Sequence, residues 1–369
     1  MEDLISPQKS ELKKACVNCG AELLYAPGTT ELVCEYCGHR EEIIPLENQF
    51  EELELKEYLS NMGSQSHREE VTILHCKNCG ANQHVEENYK SLKCVYCSSP
   101  LIVEDARKED WILPGAVLPF QIDQKKAHQT FKTWVNSLWF APNKLKKAAI
   151  SPENTKGLYL PYWTFDAQLY ADYTGQRGDY YYVSVPYTTT QNGKTVRRTR
   201  QERRTRWSYA QGTIKGFVDD TLIKASYQRS GSIPQSIARW NLQKLKPFDN
   251  SYLSGFITEK YTIPLEKGHL KSNQQARLIA ERWARRDIGG DTQRVTSIDV
   301  KLTEETFKHI LLPVYVSSYK YKGKQYNFFV NGQTGEISGQ RPYSFWKIFL
   351  LVILIVSIIL LIVFLANQK

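Results

Sequence analysis

All eight cysteines of the chain lie in its first 97 residues, grouped as four Cys-x-x-Cys pairs. Each pair makes a tight turn that directs two thiolates to one point, and two such turns supply four sulfur ligands to a tetrahedral zinc ion. Four sulfurs leave no open position for water, so a site of this kind is structural rather than catalytic. The sequence therefore predicts two structural Zn2+ sites. Their ligands are Cys16, Cys19, Cys34 and Cys37 in the first site and Cys76, Cys79, Cys94 and Cys97 in the second.

The two sets of cysteines form an internal duplication, because the second set repeats the first sixty positions later. Neighbouring residues repeat as well; for example, Tyr36 matches Tyr96. A module of about 30 residues buries too little apolar surface to fold alone, so the metal supplies the missing stability. Thioredoxin-like redox chemistry uses one such motif in a βαβ unit, and iron–sulfur clusters use other spacings. We therefore expect zinc ribbons over residues 1–45 and 71–105.

The segment between the ribbons, residues 46–70, is predicted to be an acidic helical linker. From Glu41 to Glu57 the chain has seven acidic residues and one lysine, with apolar residues at roughly helical spacing. A flexible hinge is expected at residues 61–66. Two interpretations stay open: a solvated linker helix, and a helix that binds a partner.

The rest of the chain up to residue 342 has the pattern of an α+β body. We expect two related helix-plus-antiparallel-sheet units, over residues 106–255 and 256–342. In the first unit, Asp123 is expected to cap a helix with an apolar stripe that packs into the core. In the second unit, Ser272 is expected to cap a helix that ends at Gly289-Gly290. A segment rich in Tyr and Trp with partial alternation follows the first helix, and the segments TSIDVKL and ILLPVYVSSYKY follow the second; all are predicted to be strands. The stripe of the first helix consists of Ala127, Phe131, Trp134, Leu138 and Trp139.

A long β-hairpin with a tight turn at Asn192-Gly193 is predicted between these two helices. Its first strand is rich in tyrosine and its second strand is strongly basic. Arginines beside aromatic rings suit phosphates, which both nucleic acids and lipid headgroups present. Three interpretations stay open: contact with anionic headgroups or an acidic partner, a solvated hairpin with cross-strand pairs, and binding of nucleic acid. The basic residues are Lys194, Arg197, Arg198, Arg200, Arg203, Arg204 and Arg206.

The C-terminal stretch from Ile348 to Ala366 has nineteen residues without a charge. A bilayer core needs roughly 20 apolar residues of helix to cross it, and aromatic and basic residues, among them Trp346 and Lys347, flank the run. We therefore expect a single-pass transmembrane tail anchor over residues 343–369. The N-terminus lacks the apolar core of a signal peptide. The large N-terminal part is accordingly expected to face the cytoplasm from the inner membrane.

The formal net charge of +9 suits nucleic acid, an anionic membrane face or an acidic protein, and does not choose among them. Signatures of catalysis are missing from the sequence. Gly193-Lys194-Thr195 resembles the end of a phosphate loop, but position 188 is threonine where that loop requires glycine. Asp219 and Asp220 are neighbours on a predicted strand and are expected to point to opposite faces. We therefore expect a protein that is not an enzyme.

Several segments, together with the tandem ribbons and the C-terminal run, resemble bacterial YdjG-type membrane proteins. They are LYLPYWTFDA (158–167), RTRWSYAQGTIKGFVDD (204–220) and the segment LLPVYVSSYKYKGKQYNFFVNGQTGEISGQRP (311–342). Proteins of this type carry TFIIB-like zinc ribbons and are often labelled primosomal protein N′ or replication-restart helicase relatives. The helicase label requires ATPase motifs that this sequence lacks.

The resemblance implies a membrane-bound adaptor. It would recruit PspA-like membrane-remodelling proteins, or SPFH-type and virion-core-like partners, to the membrane during envelope stress. Only the eight cysteines carry over residue by residue. Two hypotheses result: a tail-anchored zinc-ribbon adaptor that recruits cytoplasmic partners, and a membrane-tethered nucleic-acid binder that uses the ribbons and the basic hairpin. The predicted anchor favours the first, because it holds the chain at a membrane.

Overall fold

The computed structural model describes nine stretches of the chain. They are residues 14–44, 52–60, 68–84, 92–102, 105–143, 155–191, 194–227, 237–321 and 324–367. Residues 46–51 of the predicted acidic linker, its hinge at residues 61–66 and the turn at Asn192-Gly193 lie outside the described residues.

The architecture is mixed α+β, as predicted. The helices are α1 (Leu55–Ser60), α2 (Gln124–Ser137), α3 (Leu265–Ile288) and α4 (Phe345–Asn367). The first ten strands are β1 (Leu23–Tyr25), β2 (Glu31–Cys34), β3 (Arg40–Glu42), β4 (Leu53–Glu54), β5 (Arg68–His75), β6 (Asn82–His84), β7 (Leu92–Lys93), β8 (Pro100–Leu101), β9 (Arg107–Ile112) and β10 (Ala116–Val117). The others are β11 (Thr155–Gln191), β12 (Lys194–Lys224), β13 (Lys246–Pro247), β14 (Ile257–Glu259), β15 (Thr292–Tyr321), β16 (Lys324–Asn331) and β17 (Ile337–Gly339).

Three very long antiparallel strands form the centre of the body. β11 pairs with β12 on one side and with β15 on the other, so the predicted hairpin is present. The similar segments Leu160-Pro161-Tyr162 and Leu312-Pro313-Val314 lie side by side, with Leu160 directly opposite Leu312. Both predicted units therefore contribute to one sheet. On its outer side β12 has no partner among the described strands.

Helix α3 covers one face of these long strands. Its buried residues are small and recur every fourth position from Gly268 to Ala284, which allows a close approach to the sheet. A Cβ atom at Gly268 would lie 2.7 Å from the Trp163 ring. The prediction that Ser272 caps this helix is wrong. The helix begins after Pro264, and Ser272 is buried in its interior because it belongs to the small-residue face. The predicted end is confirmed, since Gly289 has φ 65°.

Helix α2 begins as predicted, because the Asp123 carboxylate accepts a hydrogen bond from the Lys126 N–H at 2.6 Å. Ala127, Phe131 and Leu138 are buried and Trp134 is half-buried. The prediction that Trp139 belongs to the core is wrong: its side chain is 78% exposed. The helix ends at Ser137, so Trp139 lies beyond the last helical turn and leaves the apolar stripe.

Helix α4 is long and apolar enough to cross a membrane. Its apolar span, Phe345–Ala366, has a mean hydropathy of 3.7, and none of it is buried against the rest of the chain. A core helix of a soluble protein would be covered by other elements, and α4 is not. One candidate membrane span is therefore present at the predicted place.

Candidate metal centres and the basic hairpin

The first cysteine cluster lies in ribbon 1, which consists of β1, β2, β3 and the turns between them. Two Cys-x-x-Cys turns, at residues 16–19 and 34–37, direct their sulfurs to one point. The Sγ atoms of Cys16 and Cys37 are 3.5 Å apart, and so are those of Cys19 and Cys34. Cys16 and Cys34 are buried, whereas Cys19 and Cys37 are exposed.

The second cluster lies in ribbon 2, which is built from β5 to β8. The Sγ atoms of Cys76 and Cys97 are 3.4 Å apart, as are those of Cys79 and Cys94. Three of these four cysteines are buried. They belong to a core cluster that also contains Leu160 of β11 and Ile310 of β15. Ribbon 2 is also joined to the central sheet, because β6 pairs with β14. Cys16 and Cys34 of ribbon 1 lie in a core cluster with Tyr159 of β11 and Tyr315 of β15.

Backbone N–H groups of the turns stabilise thiolates in both clusters. The Cys37 and Tyr36 N–H groups donate to Cys34 and hold the pKa of its thiol near 7. In ribbon 2, a hydrogen bond from the Cys79 thiol and N–H groups of its own turn lower the pKa of Cys94 to about 5, and the same hydrogen bond raises the pKa of Cys79. Thiolates are the form that binds metal, so these N–H groups favour metal binding.

Each cluster has the donor set of a four-coordinate metal site. In each cluster the four sulfurs lie within 4.8 Å of one another. A tetrahedral ion with Zn–S bonds of about 2.3 Å has sulfurs about 3.8 Å apart. The observed separations of 3.4 to 3.5 Å are close to this value and far longer than a disulfide bond of about 2.05 Å. Both cysteine sets could therefore hold a metal ion, and their chemistry is consistent with zinc.

The duplicated tyrosines lie in opposite environments. Tyr96 is fully buried, and its hydroxyl donates to Glu259 Oε2 at 2.5 Å. Tyr36, at the matching position of ribbon 1, is 87% exposed. Val17, on the other turn of ribbon 1, is also exposed. The duplication was visible in the sequence, but the burial of one copy depends on Glu259, which is distant in sequence.

Ribbon 1 contacts the body through the opposite side of its fold. Tyr25 packs edge-on against Tyr252, with ring centroids 5.3 Å apart. The Gly28 N–H donates to the Phe120 carbonyl at 2.8 Å, and the Ser254 hydroxyl donates to the Leu23 carbonyl. These contacts leave the second Cys-x-x-Cys turn of ribbon 1 facing solvent.

The predicted basic residues lie on the two-stranded part of the β11–β12 hairpin, which we call the basic hairpin (residues 179–191 and 194–206). The pairing of β11 with β15 ends at Gly178–Thr292, so beyond this point, among the described strands, only β11 and β12 pair with each other. Tyrosines of β11 pack against arginines of β12; the Arg203 guanidinium lies 4.2 Å from the ring centroid of Tyr180. Arg198 donates to Gln191 at 2.7 Å. Since opposite residues of a strand pair share a face, Arg198, Arg200, Arg204 and Arg206 lie on one face and Arg197 and Arg203 on the other.

The strand register places the basic hairpin far along β11 from the start of that strand. Arg206 pairs with Asp179 and Arg197 pairs with Thr188, which lie 24 and 33 residues beyond Thr155. At about 3.3 Å per residue these positions are roughly 80 and 110 Å along the strand. Thr155 pairs with Ser317, which in turn pairs with Phe328 of β16, close to where the chain leaves the sheet for α4. The basic residues and α4 thus lie at opposite ends of the central sheet.

The expectation that Asp219 and Asp220 point apart is wrong. A β-bulge sets these two residues opposite the single residue Asp166, and Asp220 has φ 46°. The three carboxylates lie within 4.8 Å of one another. The Lys308 ammonium is 3.3 Å from Asp220 and 3.7 Å from Asp166. Lys308 therefore already supplies a cation to this cluster.

Burial makes Asp166 a weaker acid than an ordinary aspartate. It raises the pKa of this carboxyl to about 6, against the opposing effects of the Asp220 N–H and Lys308. The Asp220 N–H donates to Asp166 Oδ1 at 2.5 Å, and Glu52 accepts from Lys308 at 2.9 Å. This arrangement is an ion-pair network that ties residue 52 to β11, β12 and β15.

Fold and site together define a class: an α+β protein with two four-cysteine metal-binding clusters and one candidate membrane span at its C-terminal end. The chain is similar to the uncharacterized protein YdjG of Bacillus subtilis (strain 168). The two are 27% identical over 342 residues, which cover 90% of this chain and 91% of the relative. No family model matches the chain, and no solved structure matches it.

Proposed function

We propose that the protein is a non-enzymatic, membrane-anchored docking protein. Two structural Zn2+ ions hold its ribbons, α4 crosses the inner membrane as a tail anchor, and the large N-terminal part faces the cytoplasm. Ribbon 1 then binds a partner protein through its second Cys-x-x-Cys turn. The observation that carries this proposal is the contrast between Tyr96, which is buried against Glu259, and Tyr36, which is exposed.

Ribbon 2 supplies the chemistry of the expected contact. Its second turn inserts Tyr96 into the body, where the ring meets apolar side chains and the hydroxyl meets a carboxylate. Ribbon 1 carries the same turn and the same tyrosine. The partner is therefore expected to offer an apolar pocket with a hydrogen-bond acceptor at its floor. PspA-like, SPFH-type and virion-core-like proteins, which the YdjG-type resemblance implies, are the first candidates.

Photocrosslinking in intact membranes tests the docking surface. The full chain would carry a benzophenone amino acid in place of Val17, which is exposed on the first Cys-x-x-Cys turn of the same cluster as Tyr36. We expect a discrete protein adduct that Tyr36→Ala removes. Tyr187→Ala, on the basic hairpin, is the matched control and is expected to leave the adduct unchanged. The partner identified in the adduct, once purified, is expected to bind the Tyr36→Ala chain at least about tenfold more weakly, a change of ~1.4 kcal/mol.

Two results would contradict the docking proposal. One is a chain that forms no protein adduct from position 17, and the other is an adduct indifferent to Tyr36→Ala. Elemental analysis tests the zinc part separately: we expect two Zn2+ ions per chain, one for each cluster. A purified, reduced chain without zinc would refute that assignment.

The basic hairpin favours a second candidate function, the binding of single-stranded nucleic acid. Arginines stacked on tyrosines combine positive charge with aromatic surface, as single-strand binders do. The position of these residues at the end of the central sheet opposite α4 argues for a soluble anionic partner over headgroups of the bilayer that holds α4. Binding to a labelled single strand is expected at ~50 mM salt and to weaken steeply as salt rises. Replacing Arg197, Arg198 and Arg200 by Gln is expected to abolish it.

Anionic liposomes are the comparison for the second candidate. A chain that binds no oligonucleotide at low salt, or that binds equally well after the triple replacement, would exclude this function. Liposome binding that depends on the same three arginines would instead support the headgroup interpretation.

A further inference from the structure

The turn that follows α2 is tied to the first turn of α4. The Ser344 N–H donates to the Phe140 carbonyl at 2.7 Å. The Lys347 ammonium donates to the carbonyls of Trp139 and Ala141 at 3.0 and 2.9 Å, and to Asn143 Oδ1 at 2.9 Å. All three ammonium hydrogens are therefore used on this turn, and we call the arrangement the Lys347 clasp.

The clasp changes what a lysine does at this position. A lysine in the first turn of a membrane-spanning helix usually extends its ammonium to water or headgroups. Here backbone carbonyls and an amide replace those partners. The turn at residues 138–143 is consequently fixed at the level of the first turn of α4, which is the level where the helix would enter the bilayer.

Trp139 is the exposed residue on that turn. Leu138 and Ala141, on either side of it, are buried, so the turn has one side toward the body and presents the indole outward. Tyr343, Phe345 and Trp346 are also exposed at the start of α4. Tryptophan and tyrosine prefer the interface between hydrocarbon and headgroups, because their rings are apolar with one polar edge.

The geometry points to a second lipid contact: the Trp139 indole inserts into the interfacial layer of the bilayer beside α4, and the Lys347 clasp positions it there. The body then rests on the membrane at the end of α2 and cannot pivot freely on α4. This inference rests on the proposed membrane span, and it assigns to Trp139 a role that the core prediction did not foresee.

Quenching by brominated lipids tests the contact. The full chain is reconstituted into phosphatidylcholine vesicles that contain a minority of phosphatidylglycerol, with bromine placed on the acyl chains near the headgroups. Trp346→Phe serves as the background, because Trp346 lies within the candidate span. We expect quenching to remain in this background and to be lost when Trp139→Phe is added. The control is Trp207→Phe, because the Trp207 ring lies under Arg294, far from α4. This variant is expected to leave the quenching unchanged.

A second variant tests the clasp. Lys347→Met replaces lysine with an apolar side chain of similar length and removes the three hydrogen bonds. The part of the quenching that depends on Trp139 is therefore expected to disappear. Resistance of the chain to alkaline carbonate extraction is measured in parallel. A chain that resists extraction but shows no Trp139-dependent quenching overturns this inference alone. A chain that carbonate releases overturns the membrane span, and with it the anchoring part of the proposed function.

Discussion

The two cysteine clusters have the same ligands at the same spacing and occupy very different surroundings. Cluster 2 lies in the main core of the protein, and its ribbon shares strands with the body: β6 pairs with β14, which pairs with β11. Ribbon 1 forms a three-stranded sheet of its own and has two exposed cysteines. Ribbon 2 is joined to the central sheet by strand pairing, whereas ribbon 1 packs its buried side against Tyr159 and Tyr315 of the body and keeps its other side exposed. The difference comes from what packs against each ribbon.

The largest expected difference is between the stabilities of two variants, each of which loses the metal of one cluster. Ribbon 2 shares strands with the body, since β5 pairs with β9 and β6 with β14, so with Cys76→Ser and Cys79→Ser we expect loss of cooperative unfolding of the body. Structural zinc is worth about 10–16 kcal/mol in small peptides, comparable with the total stability of about 5–15 kcal/mol of a typical domain. Cys16→Ser with Cys19→Ser is the matched pair, and the body is expected to keep a sharp transition. The measurement is thermal unfolding by near-ultraviolet circular dichroism in detergent, with zinc content determined for each variant.

Chelator kinetics on the unmodified chain provide a further measurement of the same difference. Because Cys19 and Cys37 are exposed, we expect one zinc ion to leave rapidly and the other to leave only as the body unfolds. A single common rate, or equal loss of stability in the two double variants, would contradict the distinction between the clusters.

The matching tyrosines are expected to give an intermediate effect. Tyr96→Phe leaves Glu259 without the hydroxyl that donates to it, and a hydrogen bond to a charged group contributes about 1.5–3 kcal/mol. Tyr36→Phe changes an exposed side chain and is expected to stay within about 0.5 kcal/mol. Denaturant midpoints of the two variants measure the difference directly. Similar midpoints would mean that Tyr96 does not hold ribbon 2 to the body.

Acid is expected to destabilise the unit formed by ribbon 2 and the body, because His309 is buried in its neutral form. Burial lowers the pKa of this histidine to about 4, whereas an unfolded histidine has a pKa of about 6.5. Below pH ~6.5 the unfolded chain binds a proton that the folded chain does not, so stability falls as the pH falls. The loss reaches about 2 kcal/mol at pH ~5. Burial also lowers the pKa of His84 in ribbon 2 to about 4, so His309→Gln is expected to remove about half of the histidine contribution to the pH dependence of the denaturant midpoint between pH ~7 and ~5. His39→Gln in ribbon 1 is the control. An unchanged slope in His309→Gln would exclude this origin of the acid sensitivity.

Local signals in the sequence were sufficient for much of the fold. The cysteine spacing predicts both clusters, the carboxylate of Asp123 starts α2, and the apolar run before Ala366 forms a candidate membrane span. Each of these features depends on residues that are close in sequence. The start of α3 was missed because a capping serine was preferred to Pro264, although proline at a helix start is itself a known signal.

Features that depend on distant residues were not predictable in this way. Glu259, which accepts a hydrogen bond from the Tyr96 hydroxyl, lies 163 positions from Tyr96 in the sequence. The cluster around Lys308 forms because a bulge in β12 meets one residue of β11, and a bulge shifts which side chains share a face. Trp139 fits a helical stripe by spacing alone, but the helix ends before reaching it. In each case the contact partner, or the end of an element, decides the environment.

The outer edge of β12 has a consequence for copies of the chain that share a membrane. Confinement to a surface raises their local concentration, and a long strand with unpaired amide and carbonyl groups is a template for joining with another strand. In a self-pairing of two β12 edges, arginines of one copy would face arginines of the other, and like charges opposite each other are destabilising. If α4 holds several copies in one membrane, the row of basic residues from Arg197 to Arg206 would oppose this pairing at low ionic strength, and screening by salt would weaken that opposition.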